Sequence, residues 1–204
     1  AEFLTRSGIG TLGIVDHDIV SLSNIHRQSL YNENDINQSK VKIAKKKLNK
    51  INSKTKINIF NFKLNKTAFE KIIKNYDYIV DGTDNFESKF LINDLSLKYK
   101  KFLVTGAISK FDGHIFTFNF TNKKDPCLRC FYQEETISDE ILNCEYEGIL
   151  GTVAGIIGTL QANEVLKKIL YIGQNLNGYI LILDLLNLNF RKAKINKRKK
   201  CLCN

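Results

Sequence analysis

Apolar and polar positions along the chain switch repeatedly between a two-residue and a helical period. Thr11–Asp16 (TLGIVD) is a short apolar run closed by an acid and reads as a buried strand. From Asp35 to Ile51 the residues Val41, Ala44, Leu48 and Ile51 recur on one face among lysines, which predicts one long helix. Lys56–Phe62 alternates as a strand, and Thr67–Asn75 returns to the helical period with Thr67 as its N-cap. Tyr78–Asp81 reads as a strand, Asn85–Lys100 as a helix and Phe102–Gly106 as a further buried strand. His114–Phe120 alternates like an exposed antiparallel strand. A cysteine-bearing loop over Pro126–Glu147 precedes a helix over Gly151–Tyr171, and Gly178–Asp184 and Asn189–Ile195 read as closing strands. Strands separated by helices predict an α/β fold with a mostly parallel sheet. No repeat or linker interrupts residues 1–204, so the expectation is a single domain.

Composition narrows the class. Apolar residues make up 43% of the 204, with 13 Phe, 8 Tyr and one Pro, enough for a packed core and unlike a disordered or fibrous chain. The longest apolar stretch, Gly148–Leu160, is broken by glycine and shorter than the roughly 20 residues that span a bilayer. AEFLTRSGIG shows no charged region leading into an apolar one, so no secretory leader is expected and the predicted location is cytoplasmic. There, cysteines serve as metal ligands or reactive thiols more often than as disulfides. The net charge of +10 changes little. Only five of the 31 basic residues are Arg, and the lysines are scattered among Asn and Ile, a pattern of compositional bias. No nucleic-acid partner is expected.

Gly8-Ile-Gly10-Thr-Leu-Gly13 matches G-x-G-x-x-G, but dinucleotide chemistry needs strand, turn and helix in that order. Here a helical piece precedes the glycines and a strand follows, which reads as a helix C-cap. Three polar clusters past strand ends carry more. Asp16-His17-Asp18 places acids where ribose hydroxyls are bound. Ser23-Asn24-Ile25-His26-Arg27-Gln28, followed by Lys40, suits a triphosphate, with Arg as a fork and Lys as a point charge. Asp81-Gly82-Thr83-Asp84-Asn85 offers a carboxylate for Mg²⁺. Taken singly, Asp84 fits equally as a helix cap, and Arg27 and Lys40 as solvated surface charges.

Jointly these segments point to a family. VDHDIVSLSNIHRQSLYNENDINQSKVKIA and VDGTDNFESKFLINDLS, followed by TGAISKFDGHIFTF, PCLRCFY and NCEYEGILGTVAGIIGTLQANEVLKKIL, resemble in order the ThiF/MoeB/HesA enzymes and the ubiquitin-activating enzymes. The resemblance implies a Rossmann-like fold whose C-terminal strands are antiparallel. It also implies ATP-dependent adenylation of the C-terminal glycine of a ubiquitin-like sulfur-carrier protein, for thiamine thiazole or molybdopterin biosynthesis, by a homodimer. By position Asp16, with Asp18 beside it, would hold the ribose. Asn24, Arg27, Gln28 and Lys40 would line the phosphates, and Asp84 would hold Mg²⁺. The carrier's own carboxylate is the nucleophile, so catalysis is positioning and charge neutralisation, with Arg27 and Asp84 as its agents.

Cys127, Cys130, Cys201 and Cys203 form two separated pairs suited to a structural Zn²⁺. The second pair is C-x-C where the family carries C-x-x-C. Cys144 matches a position at which some members link covalently to the carrier, and it reads equally as an inert loop thiol. Asn143-Cys144 ahead of the glycine-rich helix resembles the thiamine branch slightly more. Gly151, Gly155 and Gly158 recur at i, i+4 and i+7 and predict a tight helix–sheet or subunit contact. The family resemblance implies an earlier strand, a glycine-rich phosphate loop and a helix; this chain starts inside what looks like that helix, so roughly 30–45 residues of the pattern, the strand and the loop among them, are not matched here. That leaves an alternative: an inactive relative that only binds a carrier or sister subunit.

Overall fold

The computed structural model describes residues 1–132 and 148–203, which form two compact units, Ala1–Leu64 and Asn65–Asn204. In the first unit, α1 (Glu2–Arg6) ends in a Schellman turn: Gly8 N–H bonds Thr5 O at 3.1 Å and Ile9 N–H bonds Leu4 O at 3.4 Å. Gly8 takes the left-handed conformation this turn requires, φ +77°. Its glycines therefore close a helix instead of opening one, as the inverted order implied.

β1 (Thr11–Val15) pairs in parallel with β2 (Lys56–Phe60), Thr11 opposite Lys56 through Val15 opposite Phe60. A short α2 (Leu22–Ile25) and α3 (Lys40–Ile51) lie between them. Ala44 and Leu48 of α3 and Ile57 of β2 make the buried core, with Leu12, Ile14 and Ile51 packed against it. The predicted helix from Asp35 thus begins five residues late. Side chains compete with the backbone there. Asn32 caps a 3₁₀ turn over Glu33–Asp35, and Asn37 turns left-handed, φ +65°.

The second unit opens with α4 (Lys66–Ile73), capped by Asn65, whose side chain accepts from Ala68 N–H at 3.0 Å; Thr67, the expected cap, lies inside the helix. β3 (Tyr78–Asp81), α5 (Phe86–Lys98) and β4 (Phe102–Ser109) follow as a parallel crossover. β5 (Asp112–Asn119) turns back antiparallel to β4, and β6 (Tyr179–Asp184) and β7 (Asn189–Lys194) continue antiparallel, giving the order β3-β4-β5-β6-β7. Pairing is parallel across the β1–β2 and β3–β4 crossovers and antiparallel at β4–β5 and β6–β7, where the chain turns directly back; β5 and β6 are also antiparallel although helices separate them. Between β5 and β6 run α6 (Leu128–Phe131) and the long α7 (Gly151–Leu170).

β5 is not the exposed strand its alternation predicted: Ile115, Phe116, Thr117 and Phe118 are all buried. One reason is an aromatic run. Phe116 stacks on Phe118 and Phe118 on Phe120, at 6.1 and 5.9 Å between ring centroids, and Phe131 meets the Phe116 ring edge-on at 5.1 Å. The other is α7. A side chain at Gly113 would lie 2.3 Å from Ile157 Cδ1, so this glycine lets the helix seat against the sheet. Gly155 and Gly158 play no such part, because a Cβ at either meets nothing within 4 Å. Among the described residues no helix is long and apolar enough to cross a membrane.

Candidate functional site

In the first unit the chain leaves β1 at Asp16, whose N–H bonds Phe60 O at 3.2 Å. Asp16 Oδ1 accepts Asp18 N–H at 2.9 Å, folding the acidic turn on itself. The next residues run antiparallel to Asn37–Lys40: Val20 N–H bonds Gln38 O at 2.9 Å and Lys40 N–H bonds Asp18 O at 3.0 Å. This pairing delivers Lys40 to the first position of α3 with its side chain buried and its Nζ 2.9 Å from Asp18 Oδ2. The hydrogen bond from Lys40 holds the Asp18 carboxyl below its ordinary pKa against the opposing effect of burial; the Lys40 charge and His17 help. Burial and the nearby Asp16 and Asp35 carboxylates push the Tyr31 phenol up, so it stays a donor, to Lys40 O at 3.2 Å.

Asn24 is buried in a capping box, its Oδ1 accepting Ser21 N–H at 3.1 Å. Its amide oxygen is thus structural, a role the sequence reading did not assign. Arg27 bonds Ser23 O through Nη1, which also lies 3.2 Å from His26 Nε2. Gln28 is partly buried, with its N–H on Asn24 O at 2.9 Å. In the first unit hydrogen bonds join Asp16 to Asp18 and Asp18 to Lys40, while Asn24, Arg27 and Gln28 lie on the stretch between them and bond to its own backbone.

In the second unit β3 ends at Asp81, which is 1% exposed. Its Oδ1 accepts Thr83 N–H at 2.8 Å and Thr83 Oγ1 at 2.7 Å. Its Oδ2 accepts Lys89 Nζ at 3.1 Å and the Thr105 hydroxyl. Gln161 of α7 donates to Asp81 O at 2.7 Å. Asp84 stands three residues on, exposed, with Asn85 Nδ2 donating to its Oδ1 at 3.2 Å. Asp84 is not the helix cap. Asn85 caps α5 by accepting Ser88 N–H at 2.8 Å, which leaves the Asp84 carboxylate facing solvent. Lys89 and Gln161 were missed because their partners lie far away in sequence.

The second unit also gathers four thiols. Cys127 Sγ lies 3.5 Å from Cys201 Sγ, Cys130 Sγ 3.5 Å from Cys203 Sγ, and all four sulfurs fall within 4.8 Å of one another. A tetrahedral Zn²⁺ with bonds of about 2.3 Å sets its sulfurs about 3.8 Å apart, so the donor set and spacing fit that ion. The shorter C-x-C spacing does not prevent the grouping. α5 anchors the first pair: Asn93 Oδ1 accepts Leu128 N–H at 2.9 Å, and Asp94 takes a two-pronged contact from Arg129 at 2.8 Å on each arm. Burial pushes the Cys127 thiol up and the Cys203 thiol to about 12. At Cys130 burial acts the same way but is outweighed by the Arg198 and Cys127 backbone amides, which hold the thiol below its ordinary value. Cys144 lies outside the described residues.

Known proteins resemble the chain in sequence and in fold. The chain is 44% identical over 194 residues to the "Probable molybdopterin-synthase adenylyltransferase" of Porphyra purpurea, covering 95% of itself and 50% of that protein. It is 33% identical over 203 residues to the "Sulfur carrier protein adenylyltransferase" of Thermus thermophilus, covering 98% of itself and 75% of the relative. Against "Adenylyltransferase and sulfurtransferase MOCS3" of Xenopus laevis it is 38% identical and covers 98% of itself and 44% of the relative. The chain thus spans about half the length of several curated relatives it matches. Among solved structures, E. coli MccB with ATP superposes with a TM-score of 0.84 at 19% identity, over 99% of this chain and 61% of that one. PaaA superposes with a TM-score of 0.80 at 19% identity, over 95% of this chain and 67% of that one. At that identity the likeness is one of fold, and the fold is the Rossmann-like one expected. The ThiF family pattern itself matches residues 1–204, end to end. With the motifs in order, the architecture and a 33% identical relative covered over three-quarters of its length, the chain belongs to the ThiF family.

Proposed function

We propose that the chain carries the nucleotide-handling part of an adenylyltransferase acting on a ubiquitin-like sulfur-carrier protein. The observation that carries this reading is that each unit has an acidic turn at the carboxyl end of a parallel strand, fixed by a hydrogen bond to its own leading carboxylate: Asp16–Asp18 after β1 and Asp81–Asp84 after β3. The substrates are ATP with its Mg²⁺ and the carrier's C-terminal carboxylate. Asp16 accepts from the ribose hydroxyls. Lys40, Arg27 and the amide nitrogen of Asn24, with Gln28 beside them, neutralise and orient the phosphates. Asp84, the carboxylate left facing solvent, binds the substrate Mg²⁺. A carrier carboxylate oxygen bonds the α-phosphorus as the α–β bridging bond breaks, giving the acyl adenylate and pyrophosphate. No proton moves, so no general base is needed.

Several relatives are named as molybdopterin-synthase adenylyltransferases, which favours a molybdopterin-synthase carrier over a thiamine one. Cys127, Cys130, Cys201 and Cys203 hold a structural Zn²⁺ that ties the C-terminal tail to α6. The open glycine face of α7 supports a homodimer contact, since nothing within the described chain fills it. In the intact protein, Asp84→Ala and Lys40→Met are expected to cut carrier-dependent ATP–pyrophosphate exchange at least about a hundredfold. Exchange unchanged in Asp84→Ala would remove Asp84 from the chemistry.

A further inference from the structure

We infer that Lys89 is a positioning residue for the Asp84 carboxylate, acting through Asp81; this rests on the reading of Asp84 as the cation-binding group. Lys89 comes from the first turn of α5, and its side chain is 7% exposed. Its Nζ bridges two elements, donating to Asp81 Oδ2 at 3.1 Å and to Gly106 O of β4 at 2.6 Å. Among the described residues the Asp81 carboxylate accepts four hydrogen bonds, and of these only the one from Lys89 brings a charge. Two of the four come from Thr83, the residue before Asp84. The orientation of the Asp81 carboxylate therefore sets the path of the loop that presents Asp84.

Stability alone is a poor reason for such a pair. A buried ion pair commonly does no better than well-packed apolar side chains of the same size. The pair does two things an apolar substitute would not. It fixes which carboxylate oxygen faces Thr83, and it cancels the Asp81 charge. Asp84 is then the single net anion of the Asp81–Asp84 turn, which suits a divalent cation that binds few carboxylates and keeps its phosphate oxygens. Residues that orient a metal-binding carboxylate from behind typically change metal affinity 10–100-fold when replaced.

The test uses the intact protein with ATP and Mn²⁺ as a paramagnetic stand-in for Mg²⁺, bound Mn²⁺ being read by electron paramagnetic resonance. Cooperative unfolding is recorded for each variant. Lys89→Met is expected to raise the Mn²⁺ concentration at half-saturation about tenfold while metal-free ATP binding changes less than about twofold. Lys89→Arg should return the value to within about threefold of the parent. Lys89→Gln, which keeps a donor but not the charge, gives the same reading if the Met variant does not fold. A folded Lys89→Met or Lys89→Gln protein with unchanged Mn²⁺ half-saturation overturns the inference, provided Asp84→Ala abolishes binding. Mn²⁺ binding that survives Asp84→Ala overturns the reading of Asp84 and this inference together.

Discussion

Gly106 is a position where the second unit leaves no room for a side chain. It lies mid-strand in β4, opposite Ile115, and a Cβ there would sit 2.9 Å from Cδ and 3.0 Å from both amide atoms of Gln161. Gln161 is 6% exposed and its Nε2 is committed to Asp81 O at 2.7 Å, so it has nowhere to retreat. Gly106→Ala therefore combines overpacking, about 1–3 kcal/mol, with loss of a buried hydrogen bond, about 0.5–1.5 kcal/mol. The expected destabilisation is about 2–4 kcal/mol. In urea, with a slope of about 2–3 kcal/mol per M, the midpoint should fall by about 1 M at unchanged slope. A mutant cycle isolates the cause. Gln161→Ala alone should cost about 1–3 kcal/mol, and adding Gly106→Ala to it should cost less than about 0.5 kcal/mol more, because the clash has been removed. Costs that add in the double mutant would refute the steric argument. A Gly106→Ala protein within about 0.5 kcal/mol of the parent would refute the packing itself.

Three further outcomes follow from the geometry. Chelation of metal should release about one Zn²⁺ per chain, lower the unfolding temperature and expose all four clustered thiols to a thiol reagent; thiols equally reactive before and after chelation would remove the metal assignment. Arg129→Met should cost about 1–2 kcal/mol in urea unfolding, since it deletes both contacts to Asp94 and the guanidinium 4.3 Å above the Phe90 ring, while Arg129→Lys recovers only part. Asp18 titrates below its ordinary value because of Lys40, so its contribution is full above the unfolded carboxylate value near pH 4 and fades as pH falls through the folded value. Because Asp18 is half exposed the effect is about 0.5 kcal/mol or less, and Asp18→Asn should flatten the acid limb of stability against pH by that amount.

What the sequence made legible was local. The period of the apolar residues located every strand, and residue type at strand ends located both acidic turns. The misses come from side-chain contacts that the apolar period does not report, some with distant partners and some with near neighbours. Lys89 looked like one more lysine among many until β4 supplied Gly106 O. Gln161 reaches Asp81 from 80 residues away. Glu164 is buried in α7 because Thr117 Oγ1 at 3.2 Å and Leu176 N–H at 2.8 Å both donate to its Oε2. The helix drawn from Asp35 failed because Asn32 and Asp35 bond their own neighbours instead of continuing it.

β7 is the outer strand of its sheet among the described residues, and five of its six residues are exposed. An outer strand offers unpaired amides and carbonyls to any second copy, the usual start of edge-to-edge aggregation. Two copies of β7 meeting antiparallel across this edge are related by a two-fold normal to the sheet, which sets Arg191 against Arg191 or Lys192 against Lys192. Like charges directly opposed across a ladder disfavour that pairing. Lysines that carry no information about a ligand thus have a use at this edge: they keep the sheet from growing.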